Sequence, residues 1–175
     1  MNLVERVVAL VDALDRRGID WAIGGALALA YATEEPRGTR DIDVNVFVRS
    51  SEVDRVFDAL PTGVFAKAAD RRAVIADDQV RLWWDDTPID LFFAASDFHL
   101  EVAERVRTVS FGGRHIRVLS PEDLAVFKAM FDRPKDWVDI DEMAASNALD
   151  RAVASSRLAV ILGPSDPRVA RLAGG

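Results

Sequence analysis

The sequence predicts an α/β fold of the α+β type, in which a mixed β-sheet is covered by helices and followed by a helical C-terminal part. In the first half of the chain, short apolar runs typical of strands alternate with helical patterns. Helical patterns dominate the end. The chain has 175 residues, half of them hydrophobic, which is enough for one domain with a substantial core. We therefore expect an α/β core over residues 1–119, with residues 120–175 packed on it in the same domain.

The amino-acid composition limits the kinds of function that this chain can have. The chain has no cysteine, so disulfides and thiolate metal sites are excluded and oxygen ligands remain as the metal option. A net charge of −7 disfavours nonspecific binding of nucleic acid over a wide surface, although a local basic groove stays open. The N-terminus has no small-residue cleavage site, and no apolar run reaches membrane-spanning length. We expect a soluble, cytoplasmic protein with no membrane partner.

The chain begins with an amphipathic helix and a short strand. Residues 2–17 repeat apolar side chains at helical spacing, and Gly18 suits the end of that helix. Residues 19–23 form an apolar strand, after which Gly24 and Gly25 open an alanine-rich helix. A helix start offers free backbone N–H groups, and glycine lets a phosphate approach them closely. The glycine pair is therefore a candidate phosphate site, with a purely structural tight turn as the alternative.

A strand with the sequence DIDVNVFV, residues 41–48, carries the candidate metal ligands. Side chains alternate between the faces of a strand, so Asp41, Asp43 and Asn45 point one way and the aliphatic residues between them point the other. Two residues at about 3.3 Å rise each place the Cβ atoms of the two aspartates about 6.5 to 7 Å apart. That spacing suits shared coordination of a hard divalent cation, whereas the alternative is a solvated strand face.

The middle of the chain contains two clear strands and one undecided segment. A helix is expected over residues 50–60. Residues 64–79 fit a strand, a short helix or a mobile loop equally well. Two strands follow, residues 80–84 and 89–94, joined by a four-residue hairpin turn, and the second strand contains Asp90.

The last third is predicted to be mainly helical. A helix around residues 98–106 is followed by a hairpin around Gly112 and Gly113, which we place at the edge of the sheet. The clearest helix start in the chain comes next, because Ser120 is a good N-cap and Pro121 a good first helical residue.

Lys128 lies on the helix that begins at Ser120. At about 100° per residue it projects about 40° from the apolar stripe of this helix, so it faces the body of the protein. It is either a binding residue or a structural partner of Asp136 or Asp139 on the next helix. A last helix is expected over residues 150–162, followed by a frayed tail.

Together these motifs resemble the nucleotidyltransferase superfamily, which has the polymerase-beta-like fold. The glycine pair, the run Thr39-Arg40-Asp41-Ile42-Asp43 and a strand-borne Asp90 follow in the order typical of that superfamily. More narrowly, the chain resembles the branch that includes AbiEii-like toxin nucleotidyltransferases and the aminoglycoside and lincosamide adenylyltransferases. The later segment FKAMFDRPKDWVDIDEM resembles a helical segment of the same branch. The resemblance spans roughly residues 18–145.

The resemblance implies an enzyme that uses Mg²⁺, with Mn²⁺ as the alternative, to transfer an NMP group from an NTP to a hydroxyl, releasing pyrophosphate. The catalytic and metal-binding residues that it implies are Asp41, Asp43 and Asp90, the last of which helps to deprotonate the acceptor. The nucleotide-binding residues that it implies are Gly24, Gly25, Thr39, Arg40 and Lys128. Thr39 and Arg40 are placed to contact phosphate or to brace the carboxylates.

The acceptor stays open at this stage. The resemblance allows the end of a tRNA or other RNA, a protein, or a small molecule such as a drug, and a toxin-like member would have an antitoxin partner. Where small members of the superfamily carry Gly-Ser, this chain has Gly24-Gly25, so a hydroxyl contact to phosphate is missing. Two alternatives remain: a catalytically silent nucleotide-binding or partner-binding module of the same fold, and an ordinary α/β domain. Three mutually repelling carboxylates argue against a lapsed site.

Overall fold

The computed structural model describes residues 1–174 of the chain. Within them, the strands are β1 (Trp21–Ile23), β2 (Ile42–Val46), β3 (Gln79–Trp84), β4 (Thr87–Phe92), β5 (Arg107–Phe111) and β6 (Arg114–Val118). They form one sheet in the order β3-β4-β2-β1-β6-β5. Strand β1 is antiparallel to β2 and parallel to β6, β2 is parallel to β4, and β3–β4 and β5–β6 are antiparallel hairpins. The predicted α/β class with a mixed sheet is confirmed.

The helices in this part of the chain are α1 (Leu3–Arg16), α2 (Gly25–Thr33), α3 (Val53–Phe57), α4 (Ala68–Asp77), α5 (Asp97–Glu101), α6 (Pro121–Phe131), α7 (Pro134–Ala145), α8 (Arg151–Leu162) and α9 (Pro167–Ala173). Two short 3₁₀ turns lie at Ser50–Glu52 and Val102–Arg105. Among residues 1–174, no helix has both the length and the apolar character needed to cross a membrane.

The chain divides into two compact units. The first comprises Met1–Leu27 and Gly38–Val118, and it contains the entire sheet. The second comprises Ala28–Arg37 and the chain from Leu119 onward, and it is helical. The expectation that the α/β core and the helical part form a single domain stays a prediction.

Helix α1 has a capped N-terminus and the buried apolar stripe that its sequence predicts. The Asn2 side chain accepts a hydrogen bond from the Glu5 N–H at 2.9 Å, and the Asn2 N–H donates to the Glu5 carboxylate at 2.8 Å. This reciprocal capping box satisfies two backbone groups at the helix start. The apolar stripe of the helix is fully buried at Val7, Leu10, Val11 and Leu14. The sequence signals at the start of α6 are confirmed in the same way, since the Ser120 hydroxyl caps the Asp123 N–H at 3.2 Å.

The structure decides one segment that the sequence left open and corrects the prediction for another. The undecided residues 64–79 contain the helix α4, which buries only Val74 completely and therefore has no apolar stripe to recognise. The tail after residue 162 was expected to be frayed, and that expectation is wrong. It forms α9, whose Leu172 is fully buried and whose Leu172 carbonyl accepts a hydrogen bond from Arg151 of α8 at 3.1 Å. A single buried leucine is too weak a sequence signal to predict such packing.

Candidate active site

A row of three polar residues crosses three neighbouring strands of the first unit. Asp43 of β2 pairs with Asp90 of β4, and Asp90 pairs in turn with Arg81 of β3. Directly paired residues of neighbouring strands project from the same face of a sheet. The opposite face is apolar and fully buried on β2 and β4, at Ile42, Val44, Ile89 and Leu91. Two aspartates that are distant in sequence are therefore neighbours on one face.

Asp41 comes immediately before β2 and lies close to this row. Its Oδ2 atom is 3.9 Å from Nη2 of Arg81. The Thr39 hydroxyl donates to Oδ1 of Asp41 at 2.5 Å, and the Asp41 N–H donates to the Thr39 hydroxyl at 3.3 Å. Thr39 thus braces Asp41, which is one of the two roles we considered for it, and the phosphate contact stays a prediction. Arg40, the other residue considered for those roles, is exposed.

Gly24 and Gly25 are tied to the backbone and side chain of Asp43. The Gly24 N–H donates to the Asp43 carbonyl at 2.9 Å, so this N–H belongs to the sheet. Gly25 starts α2 with a φ of +52°, and a Cβ atom there would lie 1.9 Å from Oδ2 of Asp43. A side chain at position 25 would therefore collide with the carboxylate. Glycine is required here because it admits Asp43 to the N-terminus of α2, where the helix dipole favours a negative charge.

Arg81 is the residue of this site that our sequence analysis missed. Its Nε and Nη2 atoms donate to the two carboxylate oxygens of Asp90 at 2.7 and 2.6 Å, a bidentate pair. The hydrogen bonds and charge of Asp90, with further contributions from Asp41 and Asp43, raise the already high pKa of the guanidinium. Arg81 is therefore permanently charged and interacts electrostatically with all three carboxylates.

The register of one hairpin explains why Arg81 was missed. We expected a four-residue turn, which would place Trp83 opposite Asp90. The observed turn has only two residues, Asp85 and Asp86, with Asp85 at a φ of +52°. Pro88 belongs to β4 and pairs with Trp83, so the partner of Asp90 becomes Arg81. The alternating exposure of β3 places Arg81 and Trp83 on one face and Val80, Leu82 and Trp84 in the core.

The three predicted metal ligands have the donor atoms of a divalent-cation site but not its arrangement. Three carboxylates are the oxygen donors that Mg²⁺ and Mn²⁺ prefer, and Asp43 and Asp90 are adjacent across the sheet. In residues 1–174, however, no group of three or more acidic, histidine or cysteine side chains is arranged to hold a metal ion. Both oxygens of Asp90 are bound by Arg81. The three carboxylates therefore have the donor chemistry of a divalent-metal site, but the Arg81 guanidinium is bound to one of them, Asp90.

Lys128 belongs to the second unit, where its contacts are carboxylates. It faces inward as predicted, since its side chain is 11% exposed. Its Nζ atom donates to Oδ2 of Asp139 at 2.6 Å and lies 3.7 Å from Oδ1 of Asp136. Arg37 donates to the other oxygen of Asp139 at 3.2 Å, and it also pairs with Glu142. The structural pairing that we considered for Lys128 is present, and its contact with phosphate stays a prediction.

Asp136 is the fully buried member of this second cluster. Burial alone would raise its pKa, but the hydrogen bonds and charge of Arg133 together with the charge of Lys128 hold it below the ordinary value. Arg133 Nε donates to Asp136 at 2.6 Å, and the Arg133 N–H donates to the same carboxylate at 3.2 Å. The carboxylate closes the N-terminus of α7 and is a structural partner, as we expected.

Three solved structures resemble this fold at low sequence identity. The antibiotic-resistance factor ANT(2'')-Ia, studied in solution, is 15% identical with a TM-score of 0.61, and the match covers 90% of each chain. An antigenic nucleotidyltransferase-like protein from Paracoccidioides brasiliensis is 15% identical with a TM-score of 0.54, over 97% of this chain and 91% of that one. The lincosamide antibiotic adenylyltransferase LnuA, with lincomycin bound, is 14% identical with a TM-score of 0.53, over 81% and 96%. At such identities the likeness establishes the fold.

The family assignment comes from the sequence. None of the curated proteins matches this chain. The profile of one family, described as "Nucleotidyltransferase of unknown function (DUF6036)", matches residues 1–160, which is most of the chain. The fold of the three solved structures agrees with that description. The chain therefore belongs to this nucleotidyltransferase family and is an enzyme.

Proposed function

We propose that this enzyme transfers a nucleoside monophosphate from an NTP to a hydroxyl group of an acceptor and releases pyrophosphate. The acceptor oxygen forms a bond to the α-phosphorus, and the bond from that phosphorus to the leaving pyrophosphate oxygen breaks. The proton of the hydroxyl passes to a carboxylate of the site, for which Asp90 is the candidate. The observation that carries this proposal is the pairing of Asp43 with Asp90 across β2 and β4, beside the N-terminus of α2.

Each residue of the site has a proposed task. Asp41, Asp43 and Asp90 would hold a divalent cation, Mg²⁺ or Mn²⁺, which would supply positive charge against the triphosphate and the leaving pyrophosphate. Thr39 holds the Asp41 carboxylate in place through its hydroxyl. The first turn of α2, opened by Gly24 and Gly25, presents backbone N–H groups that have no partner within the helix and favour an anion. Arg40 and Lys128 are the proposed cationic ligands of the phosphates.

The acceptor is the second part of the proposal. ANT(2'')-Ia has been crystallised with adenylyl-2''-tobramycin and LnuA with lincomycin, so proteins of this fold act on or bind small antibiotics. The net charge of −7 disfavours a large RNA footprint, although it leaves the end of an RNA accessible. We therefore place a hydroxyl-bearing small molecule first, and an RNA end or a protein hydroxyl second.

A transfer assay with α-³²P-labelled NTPs tests the activity. Purified protein is incubated with each NTP, Mg²⁺ and a cell extract, and the labelled product is classified by nuclease, protease and chromatography. Asp43→Asn should lower the transfer rate by about a hundredfold or more, because a metal ligand contributes several kcal/mol to the transition state.

The matched control is Asp54→Asn. Asp54 also accepts a bidentate pair from an arginine of the first unit, Arg71, at 2.8 Å for each bond. This variant should transfer label at the wild-type rate. Equal rates for the wild type and Asp43→Asn would contradict the proposed role of the carboxylates.

A toxin-like role with an antitoxin partner is the finer prediction of the resemblance. It is tested by expression in a bacterial host. Growth arrest by the wild type and normal growth with Asp43→Asn would support it. Normal growth with both proteins, at equal soluble levels, would contradict it.

A further inference from the structure

The ion pair between Arg81 and Asp90 places the Arg81 guanidinium at a carboxylate that, in the proposed function, coordinates a metal ion. Both carboxylate oxygens of Asp90 accept hydrogen bonds from Arg81, at 2.7 and 2.6 Å. The same guanidinium lies 3.9 Å from Asp41. Arg81 uses one lone pair of each Asp90 oxygen, and its positive charge would repel a metal ion at the same carboxylate. Metal and guanidinium therefore compete for one carboxylate.

The two partners of this pair differ in their freedom to move. The Asp90 side chain is 16% exposed and is held on β4 between the buried residues Ile89 and Leu91. The Arg81 side chain is 52% exposed and sits on β3. A largely buried carboxylate needs a cationic partner at all times, because losing it leaves a desolvated charge. A half-exposed arginine can leave at lower cost, since its guanidinium is already in contact with water.

A triphosphate offers Arg81 a new partner. Arginine binds phosphate as it binds carboxylate, through two parallel N–H···O bonds in a planar fork. The proposed triphosphate position lies near the start of α2, where Asp43 contacts Gly25 in the same row as Asp90 and Arg81. Nucleotide binding would thus take Arg81 from Asp90 at the moment when the metal needs that carboxylate.

We infer that Arg81 is a positioning residue that occupies Asp90 until nucleotide and metal arrive together. The inference rests on the proposed function, since it assigns a role to a neighbour of the proposed ligands. It has a thermodynamic consequence. Nucleotide should raise the affinity for metal, and metal should raise the affinity for nucleotide by the same factor, because coupling between two ligands is reciprocal. Removing Arg81 should weaken this coupling.

Binding of Mn²⁺, followed by the electron paramagnetic resonance signal of the free ion, tests the inference without turnover. The wild type, Arg81→Gln and Arg81→Lys are titrated with and without a nonhydrolysable NTP. Without nucleotide, Arg81→Gln should bind Mn²⁺ about tenfold more tightly than the wild type, the factor expected for loss of one partly exposed competing ion pair. The enhancement by nucleotide should shrink by a similar factor. Arg81→Lys keeps the charge without the planar fork and should fall between the two.

Arg71→Gln is the matched control. Arg71 makes the same two-bond pair, with Asp54 at 2.8 Å for each bond, in the same unit and at similar exposure, but away from the row. Its removal should leave Mn²⁺ affinity at the wild-type value. Thermal unfolding gives a second readout: added Mg²⁺ should raise the Tm of Arg81→Gln more than that of the wild type or Arg71→Gln. If Arg81→Gln does not fold, the same comparison is made with Arg81→Lys.

The outcomes separate this inference from the proposed function. If the wild type and both Arg81 variants bind Mn²⁺ equally well, with the same enhancement by nucleotide, the inference is overturned and the metal-dependent function stands. If Arg81→Gln and Arg71→Gln both bind Mn²⁺ more tightly than the wild type, the gain comes from the lower positive charge of the protein as a whole. The inference is then overturned as well. If the wild type binds Mn²⁺ but the folded Arg81 variants bind none, the inference is overturned and the metal site stands. If neither the wild type nor the variants bind Mn²⁺, with or without nucleotide, both the inference and the proposed metal site are overturned.

Discussion

The two charge clusters of this protein use their cations differently. In the first unit, the carboxylates of Asp41 and Asp90 both lie within 4 Å of the single guanidinium of Arg81, and that guanidinium is half exposed. In the second unit, Asp139 contacts both Lys128 and Arg37. Its neighbour Asp136 likewise contacts two cations, Lys128 and Arg133, and it is fully buried. Asp41 and Asp90 therefore share one cation in the first cluster, whereas Asp136 and Asp139 share three in the second, one of which, Arg37, also pairs with Glu142.

The difference indicates what each cluster is built for. Carboxylates that each contact two cations, as the fully buried Asp136 and the 18% exposed Asp139 do, are neutralised within the protein, so they hold helices in place and have little affinity left for an added cation. Carboxylates that share one half-exposed cation keep a negative potential that attracts a metal ion. We therefore expect substitutions in the second cluster to lower stability and substitutions in the first cluster to change binding.

The largest expected effect on stability comes from a substitution in the second cluster. Lys128→Met keeps the length of the side chain but leaves Asp136 and Asp139 with one cation each, so it should lower the free energy of unfolding by about 3 kcal/mol. Arg81→Gln also removes the partner of a carboxylate that is only 16% exposed, but Arg81 itself is half exposed, so the loss should be smaller, about 1 to 2 kcal/mol. Urea unfolding of both variants measures the two values.

The same variant decides between the two roles considered for Lys128. If Lys128→Met unfolds at the wild-type urea concentration but loses affinity for NTP, Lys128 is a phosphate ligand and its carboxylate contacts contribute little. Loss of stability with normal NTP affinity would assign it to the structural cluster alone.

Lowering the pH should destabilise the first unit before the second, because the buried histidine, His99, lies in the first unit. Burial lowers the pKa of His99 from its ordinary 6.5 to about 4. Between these values the unfolded chain binds a proton that the folded chain does not, so stability is complete above pH 6.5 and falls as the pH drops to 4. The loss should reach about 3 kcal/mol, at about 1.4 kcal/mol per pKa unit. In the second unit, the lowered pKa of Asp136 keeps its contribution intact until the pH falls below 3.8.

Urea unfolding at a series of pH values from 7 to 4 measures this loss. His99→Gln removes the titrating group and should flatten the profile over that range. The matched control is His115→Gln, since His115 is exposed on β6 and its substitution should leave the slope unchanged. A wild-type slope in His99→Gln would assign the acid sensitivity to another group.

The smallest of the three effects concerns the close approach at Gly25. Gly25→Ala places a Cβ atom against the Asp43 carboxylate and also disfavours the positive φ, so it should cost about 2 kcal/mol of stability and weaken Mn²⁺ binding. Gly18→Ala is the matched control, because Gly18 has a φ of +61° with nothing within 4 Å of the added atom. It should cost about 1 kcal/mol and leave Mn²⁺ binding unchanged. Equal effects of the two variants on Mn²⁺ binding would show that the contact with Asp43 is unimportant.

Some of the fold could be predicted from the sequence because its signals are local. The cap at Ser120, the apolar stripe of α1 and the polar–apolar alternation from Asp41 to Val46 each depend on residues a few positions apart. The inward direction of Lys128 also follows from helical geometry alone. For the site, the order of the glycines and aspartates led to the correct superfamily, which the family match confirms.

Other features depend on contacts that local patterns do not encode. Helix α4 has no apolar stripe. Helix α9 buries one leucine completely and otherwise contacts other helices through arginines: Arg151 donates to the Leu172 carbonyl, Arg168 to the Met130 carbonyl, and Arg171 lies over the Trp137 ring. The hairpin register depended on whether Pro88 belonged to the turn or to the strand, and the two choices place different residues opposite Asp90.

The sequence by itself determined the fold class, because periodicity and caps are properties of neighbouring residues. Its resemblance to a known superfamily supplied the nucleotidyltransferase assignment and the candidate carboxylates. Only the tertiary structure decided which cation each carboxylate contacts. Arg81 reaches Asp90 through a two-residue turn, and Lys128 reaches Asp136 and Asp139 through the packing of α6 on α7. Charges interact through space, so their partners follow from strand register and helix packing and cannot be deduced from their order along the chain.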